Sequence, residues 1–288
     1  MSGFEGRSVE EARELVRSSI DRPSAARVYD YILGGGHNYS VDREFARKQL
    51  DVFPDIRLAM TTNRQFLGRA VRFAVAAGIR QFIDIGSGLP SAGNVHEIAD
   101  QADPDRSCRV VYIDNEPIAH AHARILLADN ADARRHLALD ADFFDRDGLW
   151  TRIVDSGYID PTQPVCLLAV ALLHFMSPEA EPRQTLAYYA DQLAPGSMLA
   201  LSHVTNDELP DDAAAEAVRN YASTANPVYF RTRDEITDLF GDWPLVDPGL
   251  VWAPLWHADP YFEAASSQQS DPARSKMLAA LARKPERV

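Results

Sequence analysis

The stretch Phe82-Ile83-Asp84-Ile85-Gly86-Ser87-Gly88-Leu89-Pro90 is the densest chemical signal in the chain. An apolar run ends in a carboxylate, and two glycines follow with Ser87 between them. Glycines there allow a tight turn and let a ligand approach the backbone closely. A helix starting near residues 92–94 would point its free N–H groups at the same spot. A dinucleotide site wants G-x-G-x-x-G. Ser91 stands at the third glycine position behind Pro90, and Asp84 would repel a pyrophosphate. A carboxylate beside exposed backbone groups suits a zwitterion better.

A second apolar run, Val110-Val111-Tyr112-Ile113, ends in Asp114-Asn115. An acid at a second strand tip can accept both hydrogen bonds of a ribose diol. A third run ends Leu139-Asp140-Ala141-Asp142-Phe143, where Asp142 can accept from an adenine amino group and Phe143 can lie against the ring. Zwitterion, diol and adenine together describe S-adenosylmethionine, and they leave a nicotinamide-dependent oxidoreductase without its glycine fingerprint. Leu173 and His174 stand at a fourth tip and His203 at a fifth. His174 is open to three roles: general base, substrate contact or packed side chain. His203 is a second candidate base, as are Tyr31, His37 and Tyr39. Arg27 and Arg64 are candidates to hold a ligand carboxylate.

Strands and helices must alternate to place these residues along one edge. Apolar runs of strand length occur at 81–85, 109–113, 136–139, 165–173 and 198–204, and helix-like stretches at 94–102, 117–128, 149–155 and 178–193 separate them. Strands apolar throughout their length predict a parallel sheet covered on both faces. Segments 244–246 and 250–256, split by Asp247-Pro248-Gly249, predict two antiparallel strands at its end. Helices are expected at 9–20, 24–33, 42–53 and 55–77, with a further pair at 211–225 and 233–240. The expected fold is therefore α/β: a doubly wound, mostly parallel, seven-stranded Rossmann-like sheet with an N-terminal helical cap. Its expected divisions are a cap or lid at 1–79, a ligand-binding domain at 80–263 and a peripheral helical tail at 264–288.

The net charge of −13 is uneven: residues 1–80 hold 13 Lys+Arg against 10 Asp+Glu, and the remainder is strongly acidic. Such a surface argues against a nucleic-acid partner, which needs a cationic face. No apolar run is long enough to span a membrane, and the polar N-terminus does not read as a secretory signal. Cys108 and Cys166 read as two buried thiols. The expectation is a cytoplasmic protein with no metal and a small-molecule substrate; the oligomeric state is left open.

On these residues the chain resembles the class I S-adenosylmethionine-dependent methyltransferases. More narrowly, it resembles a bacterial S-adenosyl methyltransferase family long classed as a domain of unknown function. The segments that carry the resemblance are PSAARVYDYILGGGHNYSVDRE (23–44), NRQFL (63–67), DIGSGLPSAGNVHEIA (84–99) and VVYIDNEPIAHAHARILL (110–127), followed by PVCLLAVALLHFM (164–176), LAPGSMLALSH (193–203) and VDPGLVWAPLW (246–256). The resemblance implies cofactor contacts at Asp84, Gly86, Ser87, Gly88, Asp114, Asn115, Asp142, Phe143 and Leu173. It also implies that the 29–38 signature lids the cofactor through Tyr29, Gly34, Gly35, His37 and Asn38, with Arg64 beside it. The implied activity is methyl transfer to a small molecule. The alternative is a module that binds S-adenosylmethionine or S-adenosylhomocysteine without catalysis.

Overall fold

The computed structural model describes residues 9–18, 20–52, 54–89, 93–130, 132–207, 227–258 and 271–286. The expected helix at 211–225 lies outside the described residues. Four helices come first: α1 (Val9–Ser18), α2 (Ala25–Ile32), α3 (Ser40–Val52) and α4 (Ile56–Ala76). Five apolar runs then form parallel strands: β1 (Gln81–Ile85), β2 (Arg109–Asp114), β3 (His136–Asp140), β4 (Cys166–Val170) and β5 (Met198–Val204). Between them run α5 (Val95–Ala102), α6 (Pro117–Asn130), α7 (Arg146–Asp155) and α8 (Pro182–Gln192). The short helix α9 (Arg233–Asp238) and the strands β6 (Val251–Trp252) and β7 (Met277–Arg283) complete the described elements.

The sheet order is β3-β2-β1-β4-β5-β7-β6, with β7 antiparallel to both neighbours. Strand order reverses between β1 and β4, so the crevice where open α/β sheets bind ligands lies at their carboxyl ends. Each face carries its own core. Phe66, Leu67, Val71 and Ile98 of α4 and α5 pack on Phe82, Val110, Leu168 and Leu281. On the opposite face Leu149, Ile153, Leu186 and Tyr189 cover Ile83, Val111, Leu167 and Leu199.

Helix α4 belongs to the sheet layer. Phe66, Leu67, Ala70, Val71, Ala74 and Val75 recur at helical spacing and are all buried. Gly78, at φ +92°, ends the helix in the left-handed conformation that glycine tolerates. Helix α4 of the expected 1–79 cap thus packs on the sheet, and the rest of that cap is α1–α3. Its own small core joins Val28, Ile32 and Ala46 to Ile56 and Met60, and Val16 of α1 meets Ala121 of α6.

The C-terminal expectation is corrected. The segment 277–283, read as part of a peripheral helix, is β7, buried from Met277 to Ala282 and inserted between β5 and β6. Leu245 bridges Ala282 of β7 and not the 250–256 segment, and only Val251–Trp252 of that segment is strand. A strand buried on both faces carries no period-two signal, and Met-Leu-Ala-Ala-Leu-Ala favours helix by intrinsic propensity. Pairing along the whole of β5 overrides that preference.

Among the described residues no helix is long and apolar enough to cross a membrane. None of the His, Cys, Asp and Glu residues among them form a group of three able to hold a metal. Cys108 and Cys166 are free and buried.

Candidate active site

The turn leaving β1 is built by the neighbouring strand. Gly86 and Ser87 both donate their N–H to the carbonyl of Ile113, at 2.8 and 3.2 Å, folding the chain over the gap between β1 and β2. Gly86 has φ +68°, and a Cβ there would collide with Leu172 Cδ1. Gly88 is left-handed as well, at φ +64°, but open space borders it. Its N–H donates to Asp114 Oδ2 at 2.8 Å, and Asp114 Oδ1 accepts from the Glu116 N–H at 2.8 Å. The acid at the β2 tip thus holds the glycine loop from below.

Below this loop lies an open cleft on whose wall Arg64, Asp84, Ser87, Gly88, Asn94 and Tyr112 meet. Asp84 is buried, and that burial raises its pKa to about 7; Arg64 pulls it down and Asp114 pushes it further up. Asp114 is likewise raised by burial, against its two backbone hydrogen bonds. Arg64 Nη2 donates to Asn94 Oδ1 at 3.4 Å. Asn94 precedes α5, where Glu97 Oε2 accepts from the N–H groups of Gly93 and Asn94 at 2.9 and 3.1 Å. A carboxylate and a guanidinium sharing one cleft can hold an ammonium and a carboxylate on one ligand. Asp114 keeps lone pairs beyond its two backbone bonds, so it can also accept from hydroxyls.

The structure brings Arg64, Asp84, Gly86, Ser87, Gly88 and Asp114, all expected from the sequence, to one place, and Asn115 lies exposed beside Asp114. Asn94, Tyr112 and the apolar wall of Val95, Ala123, Leu126 and Leu127 join them without having been expected. Asn94 was legible, because Asn-x-x-Glu is a helix-start signature. Tyr112 sits inside an apolar strand, and nothing local marks it.

Other expectations are corrected. Phe143 is buried in the core, its ring 5.6 Å from that of Tyr189 and its carbonyl accepting the Tyr189 hydroxyl at 2.7 Å. The exposed aromatic at this tip is Phe144, while Asp142 is exposed and accepts the Phe144 N–H at 2.9 Å. Leu173 is fully buried in the core, and Leu172 covers Gly86 instead. Both shifts of one residue arise because a turn, and not the strand's alternation, sets which side chain faces the edge.

The 29–38 signature folds largely on itself. Asp30 is buried, and its Oδ2 accepts the His37 N–H at 2.8 Å and Asn38 Nδ2 at 2.9 Å. Asn38 Nδ2 also reaches the Gly35 carbonyl, and Gly35 N–H donates to the Asp30 carbonyl. A Cβ at Gly35 would strike the Asp30 carboxylate, and Gly34 turns at φ +86°. These residues close a loop, which gives Gly35 and Asn38, both expected at the cofactor, a structural role as well. The His37 ring is more than half exposed, 5.8 Å from His122. Tyr29 packs beside α4, its hydroxyl 3.5 Å from the Met60 carbonyl. Arg27 is also removed as a ligand: it is wholly buried and pairs with Asp42 at 2.7 Å.

His174 and His203 are corrected as bases. Both are buried, with rings 5.5 Å apart. His203 Nδ1 lies 2.6 Å from the Val204 carbonyl and so carries the proton, which leaves Nε2 to accept from Arg231 Nη1 at 2.6 Å. Burial lowers the His203 pKa to about 3, and Arg231 adds to that effect. His174 is driven well below its usual value by burial and by the neighbouring His203 and Arg231. Burial thus favours the neutral form of both imidazoles. Arg231 meanwhile donates to the carbonyls of Leu173 and Met176, at 2.9 and 3.1 Å, and fastens the turn after β4.

Comparison with known proteins agrees with this architecture. A solved candidate methyltransferase from Thermobifida fusca YX is 33% identical, superposes with a TM-score of 0.81, and matches 99% of this chain and 100% of its own. A protein of the DUF574 family from Streptomyces avermitilis MA-4680 is 34% identical with a TM-score of 0.82, over 93% of this chain and 99% of its own. A candidate S-adenosyl-L-methionine-dependent methyltransferase of Mycolicibacterium smegmatis is 28% identical over 208 residues. That match takes in 67% of this chain and only 62% of the relative's length. The family model described as S-adenosyl methyltransferase matches residues 11–285, nearly the whole chain, and the chain belongs to that family.

Proposed function

We propose that the protein transfers the methyl group of S-adenosylmethionine to a small-molecule acceptor. The observation that carries this reading is that buried Asp84 and Arg64 share one cleft, beneath the glycine loop and beside Asp114. Asp84 would take the ammonium of the methionine end and Arg64 its carboxylate. Asp114 would accept from the ribose hydroxyls. The donor set fits the cofactor in charge: one anion and one cation for a zwitterion, then a second anion for a diol.

Bound there, S-adenosylmethionine supplies a sulfonium-activated methyl group for in-line displacement by a nucleophile. The chain's part is alignment and exclusion of water from the reacting pair. Leu172 against Gly86 closes the β4 side of the loop. Arg231 holds the following turn by two carbonyls. Burial of His174 and His203 disfavours their taking a proton from the acceptor. The acidic body favours a small acceptor over a nucleic acid.

Calorimetric titration with S-adenosylhomocysteine, S-adenosylmethionine and NAD tests the cofactor. Both adenosyl ligands bind and NAD does not; failure of both adenosyl ligands refutes the reading. Asp114→Ala weakens binding by about 1–3 kcal/mol, the cost of leaving buried hydrogen-bonding groups unpaired. Protein incubated with a cell extract and methyl-labelled cofactor places label in the small-molecule fraction. Label confined to protein or nucleic acid overturns the acceptor class, and no label at all favours a binding module.

A further inference from the structure

The segment Asn63-Arg64-Gln65-Phe66-Leu67 contributes Arg64 to the cleft and Phe66 and Leu67 to the core, and Asn63 has a separate place. It is buried on α4 and faces β5. At the tip of β4, Ala171 adopts φ +55°, a left-handed conformation costly for any residue with a Cβ. Its N–H donates to Ser202 Oγ at 2.9 Å and lies 3.3 Å from the Ser202 carbonyl. Ser202 is fully buried, and its hydroxyl passes the bond on by donating to Asn63 Oδ1 at 2.5 Å. On its other side Asn63 is the hydrogen-bond partner of the Tyr29 phenol. With Oδ1 already accepting, the amide must donate to Tyr29, whose own proton points to the Met60 carbonyl. One chain of bonds therefore runs in a single direction through β4, β5, α4 and α2. Asparagine suits its centre because it accepts at one end and donates at the other.

We propose that Asn63 is a positioning residue that ties cap helix α2 to the left-handed turn at the tip of β4, so that the placement of each sets the other. The next residue, Leu172, lies against Gly86, so the turn bears directly on the loop assigned above to S-adenosylmethionine. The consequence for binding rests on that assignment. The coupling of Tyr29 to Ala171 does not.

A double-mutant cycle on S-adenosylhomocysteine affinity tests it. Tyr29 and Ser202 each bond to Asn63, which stands between them. Tyr29→Phe and Ser202→Ala each weaken binding about tenfold, and the double variant is no weaker than the worse single one. In an Asn63→Ala background, Tyr29→Phe adds nothing further. Losses that multiply to about a hundredfold, the result for independent sites, overturn the proposal. A second readout needs no ligand and no change in the core: amide hydrogen exchange at Ala171 quickens in Tyr29→Phe, although Tyr29 does not touch it. Unchanged exchange there also overturns the proposal. If the wild-type protein binds no adenosyl ligand, the cofactor reading fails, and the exchange measurement alone decides the coupling.

Discussion

With Asp84 holding the ligand ammonium, as proposed above, cofactor binding becomes a proton-release reaction. Burial raises its carboxyl from 3.8 to about 7, with Arg64 opposing and Asp114 reinforcing the rise. The increase corresponds to ~4 kcal/mol of preference for the protonated form in the ligand-free site. A ligand ammonium placed against Asp84 reverses that preference and expels the proton. The free protein is then about 90% protonated at this group at pH 6, about half at pH 7 and about 10% at pH 8. Binding should release about 0.9, 0.5 and 0.1 proton at those three values. Affinity falls accordingly on acidification: it is about twofold below its plateau at pH 7 and about tenfold below at pH 6.

Titrating S-adenosylhomocysteine in buffers of different ionisation enthalpy gives the proton number as a slope, and Asp84→Asn supplies the control. The variant should bind weakly and lose the pH dependence of that slope. A proton number that stays constant between pH 6 and pH 8, or persists in Asp84→Asn, refutes the argument. Stability carries the opposite mark. The folded ligand-free protein keeps a proton that the unfolded chain has lost between about pH 4 and pH 7. Through Asp84 it is therefore most stable below the unfolded value of 3.8, and it loses up to ~4 kcal/mol as pH rises through 7. Saturating ligand should cancel much of that loss, so the ligand-induced rise in Tm is larger at pH 8 than at pH 6.

Other perturbations separate structural from binding roles. Gly86→Ala drives a Cβ into Leu172 at a left-handed position and should abolish S-adenosylhomocysteine binding in titration; retained affinity would mean the loop and the β4 turn move independently. Asp42→Asn strips the charge partner from wholly buried Arg27 and should cost about 3–5 kcal/mol in urea unfolding. Asp42→Asn combined with Arg27→Met should recover part of that loss, the part not owed to the Ser24 and Tyr39 N–H groups that Asp42 also accepts at 2.9 and 2.8 Å, and equal losses for the single and double variants would remove the ion pair as the cause. Truncation after residue 270 deletes β7, which lies between β5 and β6, and should leave a chain without a cooperative melting transition. A truncated protein that still melts cooperatively would show the strand to be dispensable.

What was legible in the sequence follows from which interactions are local. Asp84, Gly86, Gly88 and Asp114 could be read because an apolar parallel strand must stop where its backbone leaves the sheet, and the residue types at that stop are written consecutively. Phe143 and Leu173 were each misplaced by one position. At β4 the cause is a single backbone torsion: the left-handed turn at Ala171 presents Leu172 to Gly86, and Leu173 goes inward. No residue type announces that torsion, since alanine rarely adopts it. The N–H it presents is held by Ser202, a strand away in space and 31 residues away in sequence. His203 was misread for a similar reason, because the guanidinium occupying its Nε2 arrives from Arg231, 28 residues on. The strand β7 is the extreme case: Met277–Arg283 prefers helix until β5 offers it a full ladder of partners. Residue chemistry at the edge of this sheet is thus a local property, whereas which of two neighbouring side chains faces that edge depends on hydrogen bonds from distant residues. The chain through Asn63 is where that dependence can be measured.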